Sequence, residues 1–303
     1  MKQNSLFGLG IALLGAIIIS PDTLLMRWAE MNGFQMMAWR GFLASLGFFF
    51  IWFLANRGNL DELWEPQKLI EDLKGIINKW AIIIIFCQFC STSLFSIGVS
   101  VGPVSLVLFG TATIPIFAAV FASLLLKETL NKYTLITIIT VLVGIIIAIF
   151  GASERDIILN FWSLIGALCG LGVALTIAIN FTIIRYKTKL PFVLAIAIGT
   201  FFTGLLGFLL TGLQNMGSGY LVPIFITGIF IIPVSYYLLS LASRYTPTVN
   251  VSLILLLEVI LGPIWVWLGV GEQPTVITIL GGVIVVLSLT VYLSLLKAQQ
   301  KNK

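Results

Sequence analysis

Ten apolar runs, each of about 20 residues, leave this chain few folds to choose from, because that length crosses the hydrocarbon core of a bilayer. The runs lie near 5–26, 34–55, 80–100, 103–126, 133–151, 160–183, 191–212, 219–241, 247–269 and 275–296, with mostly short connections. Composition agrees. Of 303 residues, 59% are hydrophobic and 10% charged, against about 25% charged in a soluble domain. The net charge of +5 could point to nucleic acid, but the basic residues sit in short loops between apolar runs. Such a distribution sets membrane topology, so no nucleic-acid partner is expected. Lys2 and the apolar run from Leu6 to Ile19 have the outline of a signal peptide. The run continues to Met26 with no A-x-A-like site at its end, which argues for a retained first helix.

The basic residues orient the chain. With a cytoplasmic N-terminus, fourteen of the seventeen Lys and Arg fall in cytoplasmic segments, Arg27 and Arg155 fall outside, and Arg40 lies within a helix. This strong positive-inside bias predicts a multi-pass protein of the cell membrane with both termini in the cytoplasm, as an even helix count requires. A bacterial inner membrane suits it. In the largest loop, 56–79, Pro66 can open a helix whose Leu69, Ile70, Leu73, Ile76 and Ile77 share one face. That pattern fits a short helix near 66–78 on the cytoplasmic surface and, equally, a solvated loop.

The chain is duplicated. Pro103–Glu128 and Pro247–Glu272 share an outline at an offset of 144, opened by proline and closed by glutamate. Gly8, Ala12, Ala16 and Ser20 recur 158 residues later as Gly166, Gly170, Ala174 and Ala178; Asp22 then matches Asn180, Arg27 matches Arg185, and Gly41 matches Gly199. Small residues four apart let helix backbones approach closely, which places these two helices in the interior. Five helices per copy is an odd number, so the second copy must enter the membrane upside down. Inverted repeats of this kind build carriers whose central site opens to each side in turn.

These residues resemble the drug/metabolite transporter superfamily, in particular its proteins with two EamA repeats. The resemblance rests on Trp39-Arg40-Gly41 in the second helix, Ile114-Pro115-Ile116-Phe117 in the fourth, the paired LLLKE (124–128) and LGVGE (268–272), and the glycine-bearing fifth and tenth helices. It covers nearly the whole chain. One departure is Glu258-Val259, where many members have glutamate followed by proline; here the proline comes later, at Pro263, where a kink would be displaced. The resemblance implies ten helices around a central cavity, the fifth and tenth peripheral, and often export of small metabolites.

Two charges lie well inside the spans. Glu258 is about 11 residues into the ninth run, roughly 16 Å deep, and Arg40 about six residues into the second, roughly 9 Å deep. Each costs about 2.5–3.5 kcal/mol at a helix centre on insertion scales, less toward the interface, which makes an intramembrane charge a functional candidate by default. Glu258 reads as a proton or cation site facing the cavity, or as a paired structural glutamate. Arg40 reads as a ligand for carboxylate or phosphate, or as a bridge to Glu258 or Asp22. Asp22, after Pro21, would break the first helix at the cavity mouth or cap a solvated helix end, the second being the simpler expectation. Trp39, Gln88, Ser91, Thr92, Ser96, Asn180, Tyr236, Tyr237 and Asn250 are uncharged candidates for a polar cavity, though such groups also make ordinary interhelical hydrogen bonds.

Other chemistry is disfavoured. Cys87-x-x-Cys90 lies inside an apolar helix, with only Cys169 elsewhere and no histidine to complete a zinc site. Gly98-Val99-Ser100-Val101-Gly102 matches the serine-hydrolase elbow, which needs a strand-to-helix turn and a histidine base. No phosphate-binding loop points to ATP. The expectation is therefore an all-α membrane protein of ten transmembrane helices, two inverted five-helix repeats (1–152 and 153–303) around a central cavity. It is a secondary transporter of a small amino-acid-like or other polar or amphipathic metabolite, exporting by alternating access, and neither an enzyme nor dependent on a metal or cofactor. Its partners are the solute, the bilayer and H+ or another coupling ion; a homodimer is left open. An importer of the same fold and a non-transporting membrane scaffold are the alternatives.

Overall fold

The computed structural model describes residues 3–55, 66–101, 104–128, 131–151, 161–271, 273 and 275–301. Among these the chain is helical, with no strand. Helix is what lipid demands, since every backbone polar group must then be satisfied within its own segment. The first half comprises α1 (Gln3–Ile19), α2 (Asp22–Ala29), α3 (Gly33–Ala55), α4 (Pro66–Ile76), α5 (Lys79–Val101), α6 (Val104–Thr111), α7 (Ile114–Leu126) and α8 (Lys132–Gly151). The second comprises α9 (Phe161–Tyr186), α10 (Phe192–Thr211), α11 (Leu221–Phe225), α12 (Ile232–Tyr245), α13 (Thr248–Leu255), α14 (Leu257–Val270) and α15 (Val276–Lys301). Nine stretches among the described residues are long and apolar enough to cross a membrane; the tenth expected span falls on α8.

Several spans are interrupted, and the causes are local. Pro21 has no N–H to give, so α1 ends at Ile19 and α2 starts afresh at Asp22. Pro115 stands in the first turn of α7, where a missing N–H is tolerated, and the chain breaks just before it at Ala112-Thr113. The ninth span breaks at Leu256, the position 144 residues after Ala112, with no proline there. The kink expected at Pro263 is therefore not the interruption, and α14 runs on through that residue. In the eighth span a π-helical turn, Ile226–Ile231, precedes Pro233 and absorbs its lost donor.

Glycines set how closely the helices pack. Gly41 of α3 lies against the backbone of Gly204 on α10, and a Cβ on Gly207 would sit 2.5 Å from Ala38 N. A Cβ on Gly110 of α6 would come within 2.7 Å of Gly170 Cα on α9, and one on Gly8 within 2.8 Å of Tyr245 Cβ. Ala12, Ala16 and Ala174 are wholly buried and Gly166 is buried, so the four-spaced small residues do face other helices. Contact of this kind is what holds helices together where lipid tails are as apolar as leucine.

The pairings follow a rule. α1 packs on α12 as α9 packs on α5; α10 packs on α5 as α3 packs on the π-turn and α12; α6 and α7 pack on α9 as α13 and α14 pack on α1. α3 pairs with α10, and α8 with α15. Exchanging first-half and second-half helices reproduces these pairings, while the α3–α5 and α9–α12 contacts have no counterpart of similar extent among the described residues.

Of the 66–78 segment, Pro66–Ile76 is helical, as α4, and a turn follows at Ile77-Asn78. Trp52 Nε1 donates to Asp72 Oδ2 at 2.7 Å and Gly75 lies against Pro191, while Ile70, Leu73 and Ile77 are exposed. An amphipathic helix with its apolar residues turned outward fits the lipid–water boundary. Arg57, Pro103, Arg155 and Glu272 lie outside the described residues.

Candidate functional site

A cavity of about 120 Å³ lies inside the bundle, walled by α1, α2, α3, α5, α6, α7, α9, α10, α12, α13 and α14. Its polar lining is Asp22, Arg40, Gln88, Ser91, Thr92, Ser96, Thr111, Thr200, Thr203, Tyr236 and Glu258, set among apolar residues such as Ile19, Met37, Phe95, Leu108 and Leu255. Three of the helix interruptions open on it, the α6–α7 break through Thr111 and Ile114. The α1–α2 break puts Asp22 in the first turn of α2, and the α13–α14 break puts Glu258 in the first turn of α14. A helix start carries unsatisfied N–H groups and the positive end of the helix dipole. Both carboxylates therefore sit where the backbone is least committed to its own helix.

Asp22 is not the solvated cap that its place near a span end suggested. It is 4% exposed, and its Oδ2 accepts from Arg40 Nη2 at 2.6 Å. The proline break turns the following residue inward, toward α3, instead of leaving it at the membrane surface. Its Oδ1 is buried without a hydrogen-bond partner, and so is Thr23 Oγ1 beside it. Arg40 thus bridges the second span to the first. Glu258 is half-buried, and no hydrogen bond or ion pair engages it among the described residues.

Of the uncharged candidates, Gln88 and Tyr236 line the cavity, with Ser91, Thr92 and Ser96. Asn180 is buried behind the wall and donates from Nδ2 to Gln88 Oε1 at 3.2 Å. Trp39 lies elsewhere: its Nε1 donates to Met216 O at 3.1 Å, alongside Gln35 Nε2 to Ser218 O at 2.6 Å, tying α3 to the loop before α11. Asn250 is also away from the wall, accepting from the Tyr292 hydroxyl at 2.8 Å, which in turn bonds Thr134. Tyr237 stacks on Phe192. Thr111, Thr200 and Thr203 line the cavity without having been singled out from sequence. Thr200 and Thr203 share a face of α10 with Gly204 and Gly207, a small-and-polar stripe that could have marked them.

The cavity is closed toward the end where α9 and α12 finish. No residue of α12 beyond Tyr236 or of α13 before Leu255 lines it, and Leu239, Leu253 and Ile254 there are at most 1% exposed. Below them Arg185, at the end of α9, donates to Glu128 Oε1 from Nε at 2.8 Å and from Nη2 at 2.7 Å. Its Nη1 donates to Thr246 O at 2.8 Å and Ser243 O at 3.3 Å, satisfying carbonyls left over at the end of α12. One guanidinium so joins the end of α7 to two elements of the second half.

Ser100 of the hydrolase-like motif lies on α5 and donates to Ser96 O at 2.7 Å, so the strand-to-helix turn that motif needs is not formed. Cys87, Cys90 and Cys169 are free thiols.

The family model for EamA-like transporters matches this sequence twice, over residues 6–150 and 164–294. The chain belongs to the EamA-like transporter family. It is thereby a multi-pass membrane protein of a transporter family, built from two EamA repeats. A solved structure titled only as the crystal structure of a protein has the same fold as this EamA-like chain. The TM-score is 0.73 at 13% identity, over 96% of this chain and 98% of the other. No curated protein matches it.

Proposed function

We propose that this EamA-like protein is a secondary transporter of a small polar or amphipathic solute, working by alternating access. Ten helices form two inverted repeats, and the exchange rule in the helix pairings supports a two-fold relation between them. With five helices per repeat, the axis of that relation lies in the membrane plane. The observation that carries the reading is a cavity bearing Asp22, Arg40 and Glu258 in an otherwise apolar bundle. A scaffold would gain nothing from three ionisable groups at that depth. All three stand where the duplication is broken: Asn180 replaces Asp22, Ile198 replaces Arg40, and Ile114 replaces Glu258 in the other copy.

With the orientation set by the basic residues, the closed end carrying Arg185 and Glu128 is cytoplasmic, so the cavity belongs to an outward-facing arrangement. The inward-facing arrangement requires that ion pair to part while the equivalent elements of the other repeat close above the cavity. Glu258 is the carboxylate that the solute or a coupling ion meets on loading, and Arg40 holds α2 and α3 together through Asp22.

The test is uptake and counterflow in proteoliposomes with the purified protein, using a set of small amines, amino acids and carboxylates. Saturable flux that Glu258→Gln abolishes while the protein still folds is the expected result. The absence of saturable flux for every compound favours the scaffold alternative. Full activity in Glu258→Gln removes the role given to that residue.

A further inference from the structure

Resting on the transport reading, we infer that the solute is a monocation, an organic amine whose ammonium group docks between Asp22 and Glu258. The argument is one of unmatched charge. Asp22, Arg40, Tyr236 and Glu258 are the ionisable side chains on the cavity wall. Arg40 is matched by Asp22 at 2.6 Å. Glu258 then remains alone, with no hydrogen bond or ion pair among the described residues. The formal charge of the unloaded site is −1.

A second observation points the same way. Asp22, 4% exposed, leaves Oδ1 with no partner even though Oδ2 is engaged. A buried carboxylate oxygen without a donor is costly, and a polar side chain so placed on a cavity wall is an acceptor awaiting a donor. An ammonium group has three N–H donors and no acceptor. It can serve Asp22 Oδ1 and Glu258 together, bring the site to neutrality, and keep a donor for the Tyr236 oxygen. An anion would meet a negative site whose one guanidinium is already paired. A zwitterion would leave the net charge at −1 in a low-dielectric setting. Beyond the head group the wall is apolar (Ile19, Met37, Phe95, Leu108, Ile177), which suits a short hydrocarbon body.

The experiment uses purified full-length protein in detergent and four probes with a shared short alkyl body: butylamine, butanol, butyrate and 2-aminopentanoate. Apparent affinity is read from the ligand-dependent rise in the thermal unfolding midpoint. Butylamine should bind roughly ten- to a hundredfold more tightly than butanol, the range set by a charge-assisted hydrogen bond. That advantage should vanish in Glu258→Gln and fall in Asp22→Asn. Equal or tighter binding of butanol, butyrate or the zwitterion by the wild type overturns the inference, and so does an amine preference that Glu258→Gln retains. The wild-type series decides the matter even where a variant fails to fold. Carboxylate-dependent amine binding without counterflow of any probe would sink the transport reading and leave the site standing. Counterflow that prefers butyrate or butanol would do the reverse.

Discussion

Removing the Arg40 guanidinium tests what holds the first and second spans together around the cavity. Arg40→Met keeps most of the apolar stem and deletes the charge. The Asp22 and Arg40 side chains are 6% and 16% exposed, so screening by solvent is slight and the buried-pair regime applies. Breaking such a pair by removing one partner costs about 3–5 kcal/mol, because the surviving charge stays buried and unmatched. Asp22 already has one unsatisfied oxygen; Arg40→Met leaves it with none satisfied. The upper part of that range is therefore expected, a loss of roughly two to four powers of ten in the folded-to-unfolded ratio. Asp22→Ala should cost less, since Arg40 is the more exposed partner and its long stem can turn the guanidinium into the cavity. The double variant, Asp22→Ala with Arg40→Met, should recover most of the loss, because an apolar replacement of a buried pair is often neutral. The assay is reversible unfolding in mixed detergent micelles for all four proteins of the cycle. A coupling energy above about 2 kcal/mol is expected. Additive single effects, or a cost below about 1 kcal/mol for Arg40→Met, would show that the 2.6 Å contact carries little energy and that Arg40 is free to serve the solute directly.

Three further outcomes are expected. Gly41→Ala should destabilise by about 1–3 kcal/mol or more, since the added methyl meets Gly204 backbone that cannot rotate away. Gly10→Ala, with open space around it, should be neutral or stabilising by up to about 1 kcal/mol; equal melting points for the two would refute the packing argument. Arg185→Gln removes the clasp on Glu128 and the two carbonyls, so a cysteine at the closed position 253, with the native cysteines replaced, should react several-fold faster with maleimide applied from the clasp side. Unchanged labelling would mean that Arg185 does not hold that end shut. Spin labels at Ile70, Leu73 and Ile77 should report a lipid-boundary environment and one at Lys74 an aqueous one; four aqueous signals would detach α4 from the bilayer.

Much of the fold was legible because lipid simplifies the code. Apolar length alone marked the spans, and the small residues Gly8, Ala12, Ala16 and Gly170 marked the interior faces, because in a membrane only close backbone approach distinguishes inside from outside. The site was half legible. Glu258 and Arg40 stood out by the expense of charge at depth, and both line the cavity. Asn180 and Asn250 looked equivalent to Gln88 in sequence, yet they sit behind the wall, since a buried amide is as readily spent on a neighbour such as Gln88 or Tyr292 as on a solute. Trp39, one position from Arg40, turns about 100° around the helix and bonds Met216 O instead. Asp22 was misjudged for a different reason. Distance along the chain placed it near a span end, but the Pro21 break folds that end inward, and the direction of a broken helix is a tertiary outcome.

The breaks themselves give the deeper regularity. The fourth and ninth spans are interrupted at positions 144 residues apart, one before Pro115 and the other at Leu256 with no proline nearby. If proline alone caused the break, the ninth span should have broken near Pro263, and it does not. The shared position therefore reflects the packing both copies inherit: each span must bend where it passes the cavity, and a proline merely makes the bend cheaper in one copy. At the first break the Thr111 and Thr113 hydroxyls donate back to Leu108 O and Gly110 O, carbonyls that also accept the backbone N–H groups of Ala112 and Thr113. At the second break the residue in the first turn is Glu258, which makes no hydrogen bond or ion pair among the described residues. One copy of the bend has its hydroxyls turned back onto its own backbone, and the other is left with a carboxylate to offer. Pro115→Ala should consequently leave the break at Ala112-Thr113 in place, as seen by unchanged accessibility of a cysteine at Thr111. A straightened fourth span with a lost cavity would show that the proline, and not the bundle, dictates the bend.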